Sequence, residues 1–296
     1  MKKIYICHTV YHLFISLCKS NQQDTIILVD TIPNVDFLKN QISLIMRLKV
    51  CVISKTETEY PIFECESQAI YIYNDDSKIG QYLRDNGYNH HLIEEAYNYF
   101  SYNIPIKRKS LKWWIKKTLF PNRVEFGYSK FVKSIEVNDL KQVICNDYRR
   151  DKFFEVSRKT LVNNTSLVRR KEIASVFQIN KIEENGIPKI LVLTQPLFGD
   201  GTGGSLIKSE EEQLEFYGDI VKKYSKEYLV YFKVHPRDEI DYASFTNVLF
   251  LDKYVPMELY EFIGNYYFEI GITHSSTALE SLSCVREKIF LKNLKG

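Results

Sequence analysis

No run in this chain approaches the roughly 18 uninterrupted apolar residues that a helical membrane span needs, so an integral helical membrane protein is excluded. Charge of one sign is also lacking. Lys+Arg 40 against Asp+Glu 37 leaves +3, too balanced for nucleic-acid binding by bulk charge. Paired cysteines are missing too. Cys7, Cys18, Cys51, Cys65, Cys145 and Cys284 form no C-x-x-C, and most sit in apolar runs. Reduced, buried thiols of a cytoplasmic chain are expected, not a disulfide scaffold. His and Cys show no metal-ligand spacing, and no Asp-x-Asp stands in a metal-site context, so no metal and no cofactor is expected. Internal repeats and low-complexity segments are absent. The start MKKIYICHTVYHLFISLC has the basic pair of a leader, but His8 and His12 break its apolar run and no small-residue cleavage site follows.

What is present is ordinary globular material, 45% hydrophobic and 26% charged, in a length that suits two domains of about 150 residues. KIYIC (3–7), TIILVD (25–30), VCVIS (50–54), AIYIYND (69–75), HHLIEE (90–95) and QVICND (142–147) read as strands. YHLFISLCKSN and IGQYLRDNG read as helices between them, as do FFEVSRKTLVNN and SLVRRKEIASVF. Such alternation predicts a parallel, doubly wound sheet, with ligands outside the C-terminal strand ends. That places Thr9, Asp75, Asp76, Glu94 and Glu95 on the functional edge, although NDDS around Asp75 and Asp76 also suits a turn or helix cap. The polar stretch 180–189 divides a domain 1–180 from a domain 181–296. The second opens with KILVLTQPL, then the loop FGDGTGGS, then a helix whose Ser209 and Glu212 suit a capping box. YLVYFKVHP, VLFLD, YYFEIGIT and KIFLK supply four more strands. The fold expected is α/β, with two Rossmann-like domains facing a central cleft, the GT-B architecture.

Three pieces of the second domain could carry chemistry. Lys233 and His235, two apart at a strand end, would share a face and donate to an anionic oxygen, and His235 could deliver a proton to a leaving phosphate. An exposed strand end with an incidental histidine is the plain reading. Ser275 and Ser276 stand at a strand-to-helix junction where free N–H groups can take a phosphate, though serines cap many helices that bind nothing. Glu258, after Pro256, could accept two ribose hydroxyls or simply face a helix N-terminus.

Taken together, K-x-H-P, P-x-E and S-S resemble the bacterial sialyltransferases, especially the lipooligosaccharide and capsule enzymes of glycosyltransferase family 52. Glu94-Glu95-Ala96 resembles that family's acidic pair followed by Gly, with Ala in place of Gly, and CHTVYHL resembles its N-terminal strand and turn. The resemblance implies a GT-B fold and inverting, metal-independent transfer of sialic acid from CMP-sialic acid to a glycan or glycolipid acceptor, with a terminal galactose-type sugar as target. It implies that His235 binds the CMP phosphate as general acid or stabiliser. Ser275, Ser276 and Lys233 would hold the same phosphate, and Glu258 the ribose. Gln195 and Pro196 are carried as further CMP-binding residues, and Thr9 and His12 as acceptor-binding. Glu95 would be the general base, and Asp200, in QPLFGDG, is a second candidate that spacing does not separate from it.

Two rivals stand beside this reading. One is a CDP-glycerol-type teichoic acid glycerophosphotransferase, which also uses an HP-like and a Ser-rich motif but usually has an acidic residue shortly before the serines, where His274 stands here. The other is a non-catalytic membrane-associated scaffold, for which Ala96 is the best support. Acceptor, linkage position and oligomeric state are not legible in the residues, and a homodimer stays open.

Residues 107–123, KRKSLKWWIKKTLFPNR, carry seven basic and no acidic residues, interleaved with Trp113, Trp114 and Phe120. A solvated helix is the plain reading. The sharper one is peripheral attachment to an anionic inner membrane face, where each Lys or Arg contributes about 1 kcal/mol and Trp favours the headgroup layer. Wild-type protein is expected to pellet with anionic vesicles at low salt and to be released by high salt. The triple change Lys112→Glu, Lys116→Glu and Lys117→Glu is expected to stay in the supernatant. Wild type that fails to pellet at low salt removes the attachment.

Overall fold

Strands buried on both faces must be apolar along their whole length, because a parallel sheet is covered by helices on either side. TIILV shows this, with all five residues buried. The computed structural model describes residues 2–60, 68–95, 99–101, 115, 118–120, 124–145, 148–179, 186–198, 207–263, 266–276 and 278–291. The chain divides into two compact units, Met1–Gln178 and Ile179–Gly296.

The first unit holds β1 (Lys2–Cys7), β2 (Thr25–Val29), β3 (Lys49–Ile53), β4 (Gln68–Ile72), β5 (His90–Ile93), β6 (Val132–Val137) and β7 (Phe153–Glu155). They form one sheet in the order β3-β2-β1-β4-β5-β6-β7, and each neighbouring pair is parallel. The helices are α1 (Val10–Lys19), α2 (Val35–Gln41), α3 (Lys78–Asp85), α4 (Arg158–Asn164) and α5 (Leu167–Val176), and α2 runs on into a π-helical turn, Ile42–Met46. One face of the sheet (Ile4, Ile6, Ile70, Ile72, Leu92, Ile135) packs with Ile79 and Leu83 of α3 into an apolar core. The other carries polar groups. Tyr5, Tyr71 and His91 stack in a row across three strands, with Ser134 hydrogen-bonded to His91 at 2.7 Å.

The second unit holds β8 (Lys189–Leu193), β9 (Leu229–Lys233), β10 (Val248–Leu251), β11 (Phe268–Thr273) and β12 (Val285–Phe290), in the order β10-β9-β8-β11-β12, again all parallel. Its helices are α6 (Glu210–Tyr224), α7 (Met257–Ile263) and α8 (Ala278–Ser281). Tyr217 and Val221 of α6 pack on Ile190, Val192, Val230, Phe232 and Ile272. Cys7, Cys18, Cys51, Cys145 and Cys284 are free thiols. Among the described residues no helix is long and apolar enough to cross a membrane.

The structure corrects several expected elements. Residues 142–145 are not a strand. Gln142 ends a 3-10 turn, Leu140–Gln142, and beyond it the Ile144 N–H bonds the Phe100 carbonyl outside the sheet. The strand in this region is β6, whose Glu136 hid it from an apolar reading. That carboxylate is buried because Lys19 and Arg158 pair with it. FFE is strand β7, and the helix begins only at Arg158, capped by Ser157. The capping box before α6 is half made. Ser209 takes the Glu212 N–H, but Glu212 reaches the Lys208 N–H, not that of Ser209.

Asp75 is a fastener and does not line an open edge. It is buried, and its two carboxylate oxygens take the N–H groups of Phe126 at 2.7 Å and Gly127 at 2.9 Å. Phe126 and Gly127 both have positive φ, 61° and 78°, which turns consecutive N–H groups toward one anion. Arg84 closes the other side by donating to the Asp75 carbonyl. Asp75→Ala is expected to strand two backbone donors and cost roughly 2–6 kcal/mol, about 1–3 for each. A fall in the urea midpoint at unchanged slope checks it, and an unmoved midpoint contradicts it.

Candidate active site

In an open parallel sheet the crevice lies outside the C-terminal strand ends, where the strand order reverses. In the second unit that point falls between β8 and β11, since the chain adds β9 and β10 on one side of β8 and returns to place β11 and β12 on the other. Gln195 and Pro196 follow β8, and Ser275 and Ser276 follow β11, so both pairs flank the reversal. His235 follows β9, the next strand.

The turn carrying His235 is tied from several directions. Its N–H donates to Thr194 Oγ1 at 2.9 Å, its carbonyl accepts from the Asp238 N–H at 2.9 Å, and its Nδ1 accepts from the Arg237 N–H at 3.1 Å. With Nδ1 accepting, the proton of the neutral ring sits on Nε2. The strand stops at Lys233, so His235 lies in the turn beyond it and not on a shared strand face. Beneath the turn lies a buried polar cluster. Thr194 Oγ1 donates to Asp238 Oδ2 at 2.8 Å, Tyr242 OH donates to the same oxygen at 2.9 Å, and Gln213 Nε2 lies 3.2 Å from both carboxylate oxygens. Gln213 and Tyr217, one turn apart on α6, also hold the loop after β8. Gln213 Nε2 bonds the Gln195 carbonyl and its Oε1 takes the Phe198 N–H, while Tyr217 OH takes the Gln195 N–H at 2.8 Å. Asp238 is 1% exposed and Gln213 0%.

Lys233 is 6% exposed. Burial lowers its ammonium to about 8, against the pull of Asp252 and Glu258. Glu258 stands in the first turn of α7, half-buried, with its carboxyl raised by burial and by Glu261 and drawn back by Lys233. Lys233 therefore answers to carboxylates as well as to any anion at the edge. The Ser276 N–H bonds Thr273 Oγ1 at 3.2 Å, and Ser275 Oγ lies 3.1 Å from His274 Nδ1. The helix that follows is a single four-residue turn. So short a helix sums few peptide dipoles, and an anion here would depend on side-chain donors.

In the first unit the reversal falls between β1 and β4. Thr9 caps α1 by accepting the His12 N–H, and is exposed. His12 is sealed in. Its Nδ1 accepts from the His8 N–H at 3.2 Å, its Nε2–H donates to the Glu95 carbonyl at 2.9 Å, and its ring stacks on Tyr73 at 4.3 Å. Burial lowers it to about 3, so it stays neutral. His8 is lowered to about 4 by burial, and among the described residues neither of its ring nitrogens has a hydrogen-bond partner. Glu94 and Glu95 part company. Glu94 is buried, taking the N–H groups of Phe100 at 3.2 Å and Asn138 at 2.7 Å. Glu95 is half-buried, with Oε1 accepting from Asn74 Nδ2 at 3.2 Å and its carboxyl raised by burial and by Asp75 and Asp76. Asp76 is exposed. Asp200 and Ala96 lie outside the described residues, as do 107–114, 116–117 and 121–123. Thr194, Gln213, Asp238 and Asn74 were not expected from the sequence. A buried-face polar residue four before Tyr217 was the available signal for Gln213.

Two units, each built on one parallel sheet, place the chain in the α/β class with Rossmann-like domains. The description of glycosyltransferase family 52 matches residues 39–295, and the chain belongs to that family of bacterial sialyltransferases. No curated protein and no solved structure matches the chain. Glycosyl transfer is thus its class of reaction.

The Lys233–Glu258 coupling has a definite sign. Lys233→Met removes the cation that lowers the Glu258 carboxyl, so that carboxyl is expected to titrate at still higher pH. A ¹³C titration of the Glu258 carboxyl checks it, and an unchanged or lower midpoint contradicts the pairing.

Proposed function

We propose that this chain is a sialyltransferase that moves sialic acid from CMP-sialic acid to a galactose-type sugar of a bacterial surface glycan, capsule or lipooligosaccharide, with inversion and without a metal. The two units would serve as the halves of a GT-B enzyme. What carries the reading is one conjunction. The family match covers residues 39–295, and His235, Ser275 and Ser276, which resemble that family's motifs, follow strands whose C-terminal ends share one sheet edge with Gln195 and Pro196.

The chemistry asks for positive donors where the phosphate departs and a base where the acceptor hydroxyl attacks. Sialic acid leaves through an oxocarbenium-like state that carries its own carboxylate, so charge builds mainly on the leaving CMP phosphate. His235 Nε2–H would donate to that phosphate, with Ser275, Ser276 and Lys233 beside it and Glu258 on the ribose. Glu95 would accept the acceptor's proton. Its raised carboxyl suits this task, since a base works best with a pKa close to the working pH. His12 would act on the acceptor side through Glu95, whose main chain it holds, and Thr9 would face the acceptor directly. Asp200 remains the alternative base. Attachment through 107–123 would bring a membrane-anchored acceptor near, and the described residues there, Ile115, Thr118, Leu119 and Phe120, are all exposed.

CMP-sialic acid and CDP-glycerol assayed side by side are expected to give turnover with the first alone. His235→Ala is expected to cut turnover by roughly 10²–10⁴-fold. Glu95→Gln is expected to abolish transfer while CMP still binds by calorimetry. Because the base must be ionised, the rate should fall as pH drops through its raised pKa, above the usual 4.5. A folded His235→Ala protein of normal activity refutes the donor site, and loss in Asp200→Asn with a normal Glu95→Gln moves the base to Asp200.

A further inference from the structure

We infer that Asp238 is a positioning residue for His235, acting through the Thr194 hydroxyl. The inference rests on the reading of His235 as the phosphate-side donor. A hydroxyl has one proton to give. An ionised carboxylate only accepts, so Thr194 must spend its proton on Asp238 Oδ2, 2.8 Å away. That leaves the Thr194 oxygen to accept the His235 N–H at 2.9 Å. The direction of the chain is fixed by its charged end. Tyr242 OH and Gln213 Nε2 also donate to Asp238, and the Ile240 N–H lies 3.3 Å from its Oδ1. Among the described residues every hydrogen-bond partner of the carboxylate is a donor, so an amide in its place would set donor against donor.

The chain ends at the chemistry. Thr194 opens the loop after β8, and its own N–H bonds the Lys233 carbonyl at 3.0 Å. Thr194 and Asp238 thereby clamp the end of β9 and both main-chain groups of His235. Gln213 extends the clamp to Gln195 and Phe198 on the other side. A buried carboxylate costs desolvation that an apolar side chain would avoid, and a fully satisfied polar network repays it by holding one arrangement. Here that arrangement keeps His235 Nδ1 on the Arg237 N–H and its proton on Nε2.

The test compares wild type with Asp238→Asn, Thr194→Val, Thr194→Ser and His235→Ala. It measures transfer from CMP-sialic acid per folded molecule, CMP affinity by calorimetry, and the His235 ring tautomer by long-range ¹H–¹⁵N correlation. Wild type should show the Nε2–H form. Asp238→Asn and Thr194→Val should lower kcat by about 10–100-fold, the scale of a small misplacement. They should change CMP affinity less than kcat and mix the tautomers, while Thr194→Ser keeps wild-type values. If Asp238→Asn does not fold, Thr194→Val decides. The inference is overturned if Thr194→Val keeps wild-type kcat and tautomer, if its loss disappears once folded protein is counted, or if Thr194→Ser loses as much. A His235→Ala protein that transfers normally instead removes the role given to His235, while the tautomer in Thr194→Val still reports whether the clamp holds the ring.

Discussion

Parallel pairing is the constraint on which the rest depends. A parallel strand cannot follow its neighbour through a tight hairpin, so each connection must return across the sheet before the next strand starts. All strands in a unit therefore finish on the same edge. In the second unit this gathers residues as far apart in the chain as Gln195, His235 and Ser275 at one edge, with the order reversing between β8 and β11. The first unit repeats the device between β1 and β4, beside His8, Thr9 and Asn74.

The loops at those edges are held mainly by buried carboxylates. Asp75 takes two N–H groups of the Phe126–Gly127 turn, Glu94 takes those of Phe100 and Asn138, and Asp238 gathers Thr194, Tyr242 and Gln213. Glu136 is the ionic version, between Lys19 and Arg158. Each staple leaves its carboxylate with fixed partners and little exposure. Glu95 differs in its partial exposure and in taking, among the described residues, an amide donor from Asn74 in place of backbone N–H groups.

Much of the frame could be read from residues alone. KIYIC, TIILV, KILVL and LVYFK are apolar runs that became buried parallel strands. β6 escaped because its Glu136 and Ser134 break the run, and what makes Glu136 compatible with burial is Lys19, 117 positions away. QVIC misled for the opposite reason, since an apolar run pairs in a sheet only if an edge is open to it, and β7 occupies the one beside β6. The K-x-H-P, P-x-E and S-S motifs led to the family that the chain belongs to.

The sequence by itself determined the strand-and-helix alternation, the parallel sheets and the family, because periodicity and short motifs are local properties of the chain. Only the tertiary structure decided which polar residues are consumed. Glu94 and Glu95 are adjacent and chemically alike, yet one is sealed by backbone donors and the other takes a side-chain amide. Thr194 and Asp238 carry no local mark of their role, since their partners lie far from them in the chain. Burial and hydrogen-bond partnership depend on what the fold brings near, and no window of neighbouring residues contains that information.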